Sequence, residues 1–151
     1  CHGMYLSAWL LGKPKRISSI FSHVTGKEVE DNAVTVMEFA NSATAINETS
    51  FLSAHSPFSL ELYGSKGSLF IGGPEQKVRI NSSLVQGEIS GWIQPTRLPK
   101  GLPSALEQWV GAILRNEPNY FDIEAAVALS ELMDGAYRSH QLGRQIIFPL
   151  T

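Results

Sequence analysis

The chain is poor in the features that would mark an exported, membrane-bound or nucleic-acid-binding protein. It contains one cysteine, Cys1, so no disulfide can form within it. It has no run of Lys and Arg, and 12 basic against 14 acidic side chains give a formal net charge of −2. Nucleic-acid binding is therefore not expected, because the phosphate backbone demands a basic surface. Its apolar runs are too short to span a bilayer, so no membrane partner is expected.

The N-terminal residues also lack the charged stretch, apolar stretch and cleavage site of a secretory signal, so we expect a cytoplasmic protein. The sequence starts at Cys1 and enters an apolar helical stretch without a capping residue. We therefore expect natural sequence upstream of it.

Motifs for several common chemistries are missing as well. No glycine fingerprint for a dinucleotide or phosphate follows a strand and opens a helix, and the glycines at 64–67 and 72–73 indicate turns. The four histidines stand at none of the spacings that bind metals, and no serine lies in a nucleophile elbow. We expect no metal site and no cofactor-binding residue in this chain.

What the chain does have is the pattern of a single α+β domain over residues 1–151, with 43% hydrophobic and 17% charged residues. Periodicity and turn residues predict a helix over 4–11, a run of short strands, two helices and a last short strand. The strands are predicted over 15–24, 32–40, 43–52, 58–63, 68–71, 78–80 and 146–148. Tight turns between consecutive strands favour a large, mostly antiparallel or mixed sheet with helices packed on one face.

The two long helices have recognisable ends and stripes. Pro103 is predicted in the first turn of one, and Asp122 and Gly143 are predicted to cap the other. Each has an apolar stripe predicted to be buried: Leu106, Trp109, Val110, Ile113 and Leu114 on the first, and Ala126, Leu129, Met133, Ala136 and Tyr137 on the second.

The other face of the sheet is predicted to be half apolar, because it would carry side chains such as Val34, Val36, Ile46 and Phe70. An open face of this kind is a common surface for self-association. We therefore expect a dimer or a higher homo-oligomer that forms through the sheet face.

Two histidines are candidates for function. His2 precedes an apolar helix at the expected domain edge, and it is either a helix-start histidine with a satisfied hydrogen bond or a general acid/base, since imidazole titrates near neutral pH. His55 lies in a loop between two strands, where simple exposure is the plainer interpretation and contact with a substrate is the alternative.

Four segments, in order, resemble the Gfo/Idh/MocA family of oxidoreductases, which includes glucose-fructose oxidoreductase and inositol dehydrogenase. They are CHGMYLSAWLLGKP, DNAVTVMEFANSATAINETS, LELYGSKGSLFIGG and NYFDIEAAVALSELMDGAYRSHQLGRQI. The first is similar to the family's segment in which Asp-x-x-x-His opens the helix that enters the C-terminal domain. Together they cover nearly the whole chain.

The resemblance implies a subunit of two domains. An N-terminal Rossmann domain, absent from this chain, would bind NAD or NADP, and this C-terminal domain would bind the substrate and make the oligomer contacts. By resemblance, His2 matches the family's catalytic histidine. Tyr5 stands where many members have Asp, and it is expected to pack or to direct its hydroxyl at the substrate.

The function expected from this resemblance is that of a substrate-binding and oligomerisation domain of an NAD(P)-dependent oxidoreductase. The substrate would be a sugar, inositol or another polyol, oxidised at a CH–OH group. The alternative is a non-catalytic ligand-sensing or oligomerisation domain of a regulatory homologue. An Asp four residues before His2 and an upstream Glu-Lys-Pro segment would favour the enzyme.

Overall fold

A computed structural model describes residues 1–55, 57–86 and 90–150 of the chain. Its helices and strands, in chain order, are α1 His2–Leu11, β1 Pro14–Ser22, β2 Asn32–Phe39, β3 Thr44–Ser50, β4 Ser59–Gly64, β5 Gly67–Gly72, β6 Lys77–Asn81, α2 Ser83–Gln86, α3 Ala105–Arg115, α4 Ile123–Leu142 and β7 Ile146–Ile147. The predicted α+β class with antiparallel strands is confirmed.

The chain divides into two compact units, each with its own sheet. The large unit comprises residues 1–52 and those from 103 onward, and the small unit comprises residues 53–102. The large unit holds a sheet in the order β3-β2-β1-β7, and the small unit holds a sheet in the order β4-β5-β6. Phe70 therefore lies in a different sheet from Val34, Val36 and Ile46. That residues 1–151 fold as one domain stays a prediction.

The four-stranded sheet is built from hairpins with a well-defined register. Ile17 on β1 pairs with Met37 on β2, and Val36 on β2 pairs with Ile46 on β3. The predicted turn between β2 and β3 is confirmed: Ser42 has a φ of 65°, and its amide donates to the Phe39 carbonyl at 3.1 Å. Because side chains alternate across a strand, this register sends one set of residues to the helices and the other to the open face.

The core lies between this sheet and the helices α1 and α4. Ile17 and Met37 are 0% exposed, and each is worth roughly 1.5–3 kcal/mol relative to an exposed side chain. Phe21 from β1 and Phe39 from β2 complete the sheet's share of the core, and Leu132 and Ala136 supply that of α4. The helices thus cover one face of the sheet, as predicted.

Helix α4 begins and ends where the sequence indicates. The Asp122 carboxylate accepts the Ala125 amide at 2.8 Å, and Gly143 ends the helix in the left-handed conformation with φ 61°. Its buried residues are Leu132, Gly135, Ala136 and Ser139, and Leu129 and Met133 are half-buried against the core. The predicted stripe is therefore right at Leu129, Met133 and Ala136 and wrong at Ala126 and Tyr137, which are exposed. Apolar periodicity gave no weight to Gly135 and Ser139.

Helix α3 also begins differently from the prediction. Its N-cap is Ser104, whose hydroxyl accepts the Glu107 amide while the Glu107 carboxylate accepts the Ser104 amide, so that Pro103 precedes the helix instead of lying in its first turn. The apolar stripe that was predicted to be buried is exposed on this chain, and its members are Leu106, Trp109, Val110, Ile113 and Leu114.

The small unit is a three-stranded antiparallel meander. The predicted turn between β4 and β5 is confirmed, with Gly64 paired to Gly67, which has a φ of 148°. An isolated antiparallel bridge joins Ile80 to Ile93. Among the helices of the described residues, none has the length and apolar character needed to cross a bilayer.

Candidate functional site

The N-terminal turn of α1 carries His2 on the surface of the large unit. His2 is the first residue of the helix, its side chain is exposed, and its Nδ1 lies 3.7 Å from the Cys1 thiol. No other hydrogen bond engages the ring among the described residues. The imidazole is therefore free to meet a small molecule, which a buried histidine with satisfied hydrogen bonds could not do.

Tyr5 lies one helical turn after His2 and joins α1 to the segment before α4. Its hydroxyl donates to the Tyr120 carbonyl at 3.2 Å, and its ring stacks on Phe121 with 6.2 Å between centroids and 29° between planes. Two of the three residues that sequence reasoning placed near a substrate, His2 and Tyr5, therefore share one end of α1 with an aromatic segment from the α3–α4 connection.

The α3–α4 connection is fixed by side chains that sequence reasoning missed. The Gln108 Oε1 accepts the Tyr120 amide at 3.2 Å, while its Nε2 donates to the Pro103 carbonyl at 2.7 Å. Gln108 is 5% exposed. The Asn119 carboxamide accepts the Phe121 amide at 2.9 Å, which forms an Asx turn. The only indication of this segment in the sequence was the adjacent aromatic pair Tyr120 and Phe121 just before Asp122.

The other three histidines belong to other elements of the chain. His55 belongs to the small unit, where its side chain is exposed and its amide donates to the Ser53 hydroxyl at 3.3 Å. His140, on α4, is structural, because its Nδ1 accepts the Phe21 amide at 3.2 Å and its ring stacks on the Phe21 ring. His23 is exposed in the loop after β1.

Two polar clusters fasten the loop between β1 and β2. The Thr25 hydroxyl and amide both donate to Asp31, and these bonds lower the pKa of that carboxyl to about 2. The Tyr137 hydroxyl donates to Glu30, which raises the pKa of the phenol to about 12. Both clusters stabilise local structure.

The described residues offer no metal or dinucleotide site. Within residues 1–55, 57–86 and 90–150, no three His, Cys, Asp or Glu side chains are grouped to hold a metal ion. The seven glycines with positive φ among the described residues serve other purposes: Gly67 closes a hairpin, Gly72 ends β5, Gly12 and Gly143 end helices, and Gly26, Gly73 and Gly91 lie in connections between two strands or two helices. None of these seven stands between a strand and a following helix, which is the arrangement that cradles a pyrophosphate. The residues present therefore do not fit a nicotinamide cofactor.

Two concave regions lie in the large unit. An open groove of about 740 Å³ follows α3 and reaches Tyr120, and it is lined by Pro103, Leu106, Glu107, Gln108, Val110, Arg115, Glu117, Pro118 and Tyr120. A cavity of about 240 Å³ lies between α1, β1 and α4, beside an ion pair of 3.4 Å between Lys13 and Glu131. His2 lines neither of them.

One family model matches the first part of the chain. Residues 1–70 match the model of the GFO/IDH/MocA C-terminal domain, which confirms the resemblance seen in the sequence. No curated protein matches the chain in sequence.

Solved structures extend the likeness to almost the whole chain. An NAD-binding protein from Listeria innocua is 18% identical with a TM-score of 0.79, covering 97% of this chain and 45% of that one. An oxidoreductase from Agrobacterium radiobacter, in complex with NAD+, L-tartaric acid and magnesium, is 16% identical with a TM-score of 0.78, covering 95% and 46%. The WlbA dehydrogenase from Bordetella pertussis, in complex with NADH and UDP-GlcNAcA, is 19% identical with a TM-score of 0.75, covering 99% and 43%.

These likenesses establish the fold of the chain. The chain spans less than half the length of each of these three proteins. The activity, substrates and partners of a whole protein are therefore matters for proposal.

Proposed function

Since residues 1–70 belong to the GFO/IDH/MocA C-terminal domain, we propose that the chain is the substrate-binding and self-associating domain of an NAD(P)-dependent oxidoreductase. Its substrate is a sugar, inositol or another polyol that reacts at a CH–OH group. The cofactor is NAD or NADP, held by a Rossmann domain of the same protein outside these 151 residues.

The observation that carries this proposal is the exposed imidazole of His2 at the first turn of α1, beside Tyr5. An alcohol is oxidised when its carbon loses a hydride and its oxygen loses a proton, so that a C=O bond forms. A nicotinamide cofactor, when bound, would supply the acceptor for the hydride. An exposed imidazole at the rim of the domain is suited to accept the proton and to return it in the reverse reaction.

Tyr5 is proposed to border the same substrate. Its hydroxyl hydrogen is donated to the Tyr120 carbonyl, but the phenol oxygen keeps lone pairs that can accept a hydrogen bond from a substrate hydroxyl. His55, which belongs to the small unit, is proposed to contact a substrate through its exposed ring.

Self-association is proposed through the open face of the four-stranded sheet. Ile20, Val36 and Ile46 are exposed there, and Ile46 is 73% exposed. The face also carries the ion pair between Arg16 and Glu38, at 2.6 Å. Exposed β-branched side chains on adjacent strands favour coverage by a second copy, which would remove them from water.

The second candidate function is that of a non-catalytic ligand-sensing domain. The observation in its favour is Tyr5, which stands where the resemblance implies an Asp in many members. A sensor of this kind would bind a polyol and self-associate without turning it over.

The test uses the full-length natural protein. Nicotinamide absorbance is followed with NAD and with NADP across a panel of aldoses, inositols and open-chain polyols. We expect saturable turnover on at least one of them. Saturable polyol binding without turnover, in a protein that binds the cofactor, would contradict the enzyme and favour the sensor.

A further inference from the structure

Two exposed aromatic residues stand beside the helix that carries His2. Tyr120 is 51% exposed and Phe121 is 45% exposed, and both lie in the connection just before α4. Exposed aromatic rings are costly to leave in water, and adjacent ones on a fixed backbone often meet a ligand or a partner.

The backbone that presents these rings is held from both sides. Gln108 accepts the Tyr120 amide, and Tyr5 donates to the Tyr120 carbonyl, so that both polar groups of this residue are engaged by side chains. Gln108 is in turn buried and anchored to the Pro103 carbonyl. A segment fixed in this way loses little conformational entropy when it binds a ligand, which is the advantage of a preorganised site.

Tyr5 connects this segment to the helix turn that carries His2. Tyr5 follows His2 by three residues, and side chains with this spacing on a helix have Cβ atoms about 5–6 Å apart. Phe121 stacks on the Tyr5 ring. A molecule whose hydroxyl meets the His2 imidazole would therefore have this aromatic surface within reach.

We propose that Tyr5, Tyr120 and Phe121 form an aromatic wall of the substrate pocket that receives the C–H face of a cyclic sugar or polyol. The faces of aromatic rings carry partial negative charge, which attracts the weakly positive C–H groups on one side of such a ring. The ring hydroxyls then point along the plane and away from the wall. This inference rests on the proposed function and adds a preference for cyclic over open-chain substrates.

The experiment compares Phe121→Ala with the wild type in the full-length protein, using myo-inositol and glucose as cyclic probes and glucitol as the open-chain probe. We expect the KM for the cyclic substrate to rise about tenfold, with kcat changed by less than about threefold, because the wall contacts the ring and not the reacting atoms. The KM for glucitol is expected to change less. Phe121→Tyr, which keeps the ring, is expected to retain the wild-type KM.

The control is Phe51→Ala, which removes an exposed aromatic ring outside the wall. Cofactor binding and circular dichroism show whether each variant is folded. If Phe121→Ala turns over the cyclic substrate with an unchanged KM, the aromatic wall is rejected and the proposed oxidoreductase activity is retained. If the wild type turns nothing over but binds myo-inositol, and Phe121→Ala weakens that binding, the wall is supported and the enzyme is rejected. If the wild type shows neither turnover nor binding, both the aromatic wall and the proposed function are rejected.

Discussion

Asp31 shows how a single charged side chain can organise a loop. It is 6% exposed, and its carboxylate accepts the Val24 amide at 2.9 Å, the Thr25 amide at 2.7 Å and the Thr25 hydroxyl at 2.6 Å. These bonds favour the ionised form, which is why the pKa falls from 3.8 to about 2.

Replacing Asp31 with Asn should destabilise the protein at neutral pH and have little effect at very low pH. A lowered pKa in the folded state means that the carboxylate stabilises the fold above its ordinary pKa of 3.8, and that this contribution disappears as the pH falls toward 2. Thermal unfolding of both proteins between neutral pH and pH 2 should show a lower Tm for Asp31→Asn that converges on the wild type in acid. The control is Glu48→Gln at an exposed position on β3. A Tm difference that does not vary with pH would contradict this account.

At the scale of elements, the ends of α4 and the hairpin turns were readable from sequence because short-range chemistry determines them. Asp122 and Gly143 cap α4 as predicted, and the Asn41-Ser42 turn joins β2 to β3. The buried face of α4 was readable only in part. At Gly135 the helix lies close to Phe148 and Ile17, and an apolar periodicity gives no weight to a glycine.

Gly135→Ala should destabilise the large unit by up to roughly 2 kcal/mol. Alanine favours a helix by about 1 kcal/mol over glycine, but overpacking a core costs about 1–3 kcal/mol. A Cβ at this position would lie 2.7 Å from the Phe148 ring and 3.3 Å from Ile17 Cγ2. Urea unfolding measures the change.

The matched control for Gly135→Ala is Ser130→Ala on the exposed face of the same helix, which should leave stability nearly unchanged. Adding Phe148→Leu to Gly135→Ala should recover part of the loss. A Gly135→Ala protein more stable than the wild type would show that α4 does not approach the sheet this closely.

At the scale of the whole molecule, two apolar surfaces remain exposed on the described residues. One is the open face of the four-stranded sheet, with Ile20, Val36 and Ile46, and the other is the apolar stripe of α3. The sequence predicted the apolar sheet face, because alternate residues along a strand show the character of both of its faces. It predicted the second as buried, because an amphipathic pattern shows that a face is apolar but not what covers it.

The sheet face is the surface that we expect to drive self-association. Ile46→Glu places a charge among its apolar side chains and should raise the dissociation constant of the oligomer by at least about tenfold. Sedimentation of the chain at concentrations of roughly tens of micromolar reports this. Ile113→Glu, an equal change on the α3 stripe, should leave the oligomer intact. Self-association through the sheet face would be contradicted by a wild-type chain that sediments only as a monomer. It would also be contradicted if Ile113→Glu alone abolished the oligomer.

The candidate site was only partly predictable, because its contacts join residues that are far apart in the sequence. His2 was a candidate from its chemistry and its place before a helix, and a resemblance in one local segment then pointed to both His2 and Tyr5. The contact between Tyr5 and Tyr120 joins residues 115 positions apart, and Gln108 reaches Tyr120 from another helix. Such contacts depend on how the helices pack, which no short motif records.

The central claim is that His2 transfers the hydroxyl proton during oxidation of a polyol. It is tested most directly by kcat in the full-length protein for wild type, His2→Ala and the exposed control His23→Ala, each shown to bind the cofactor. Losing a positioned general base should lower kcat by about 10²–10⁴-fold in His2→Ala, while His23→Ala keeps the wild-type rate. A His2→Ala protein that turns over the substrate within about threefold of the wild type would contradict the claim.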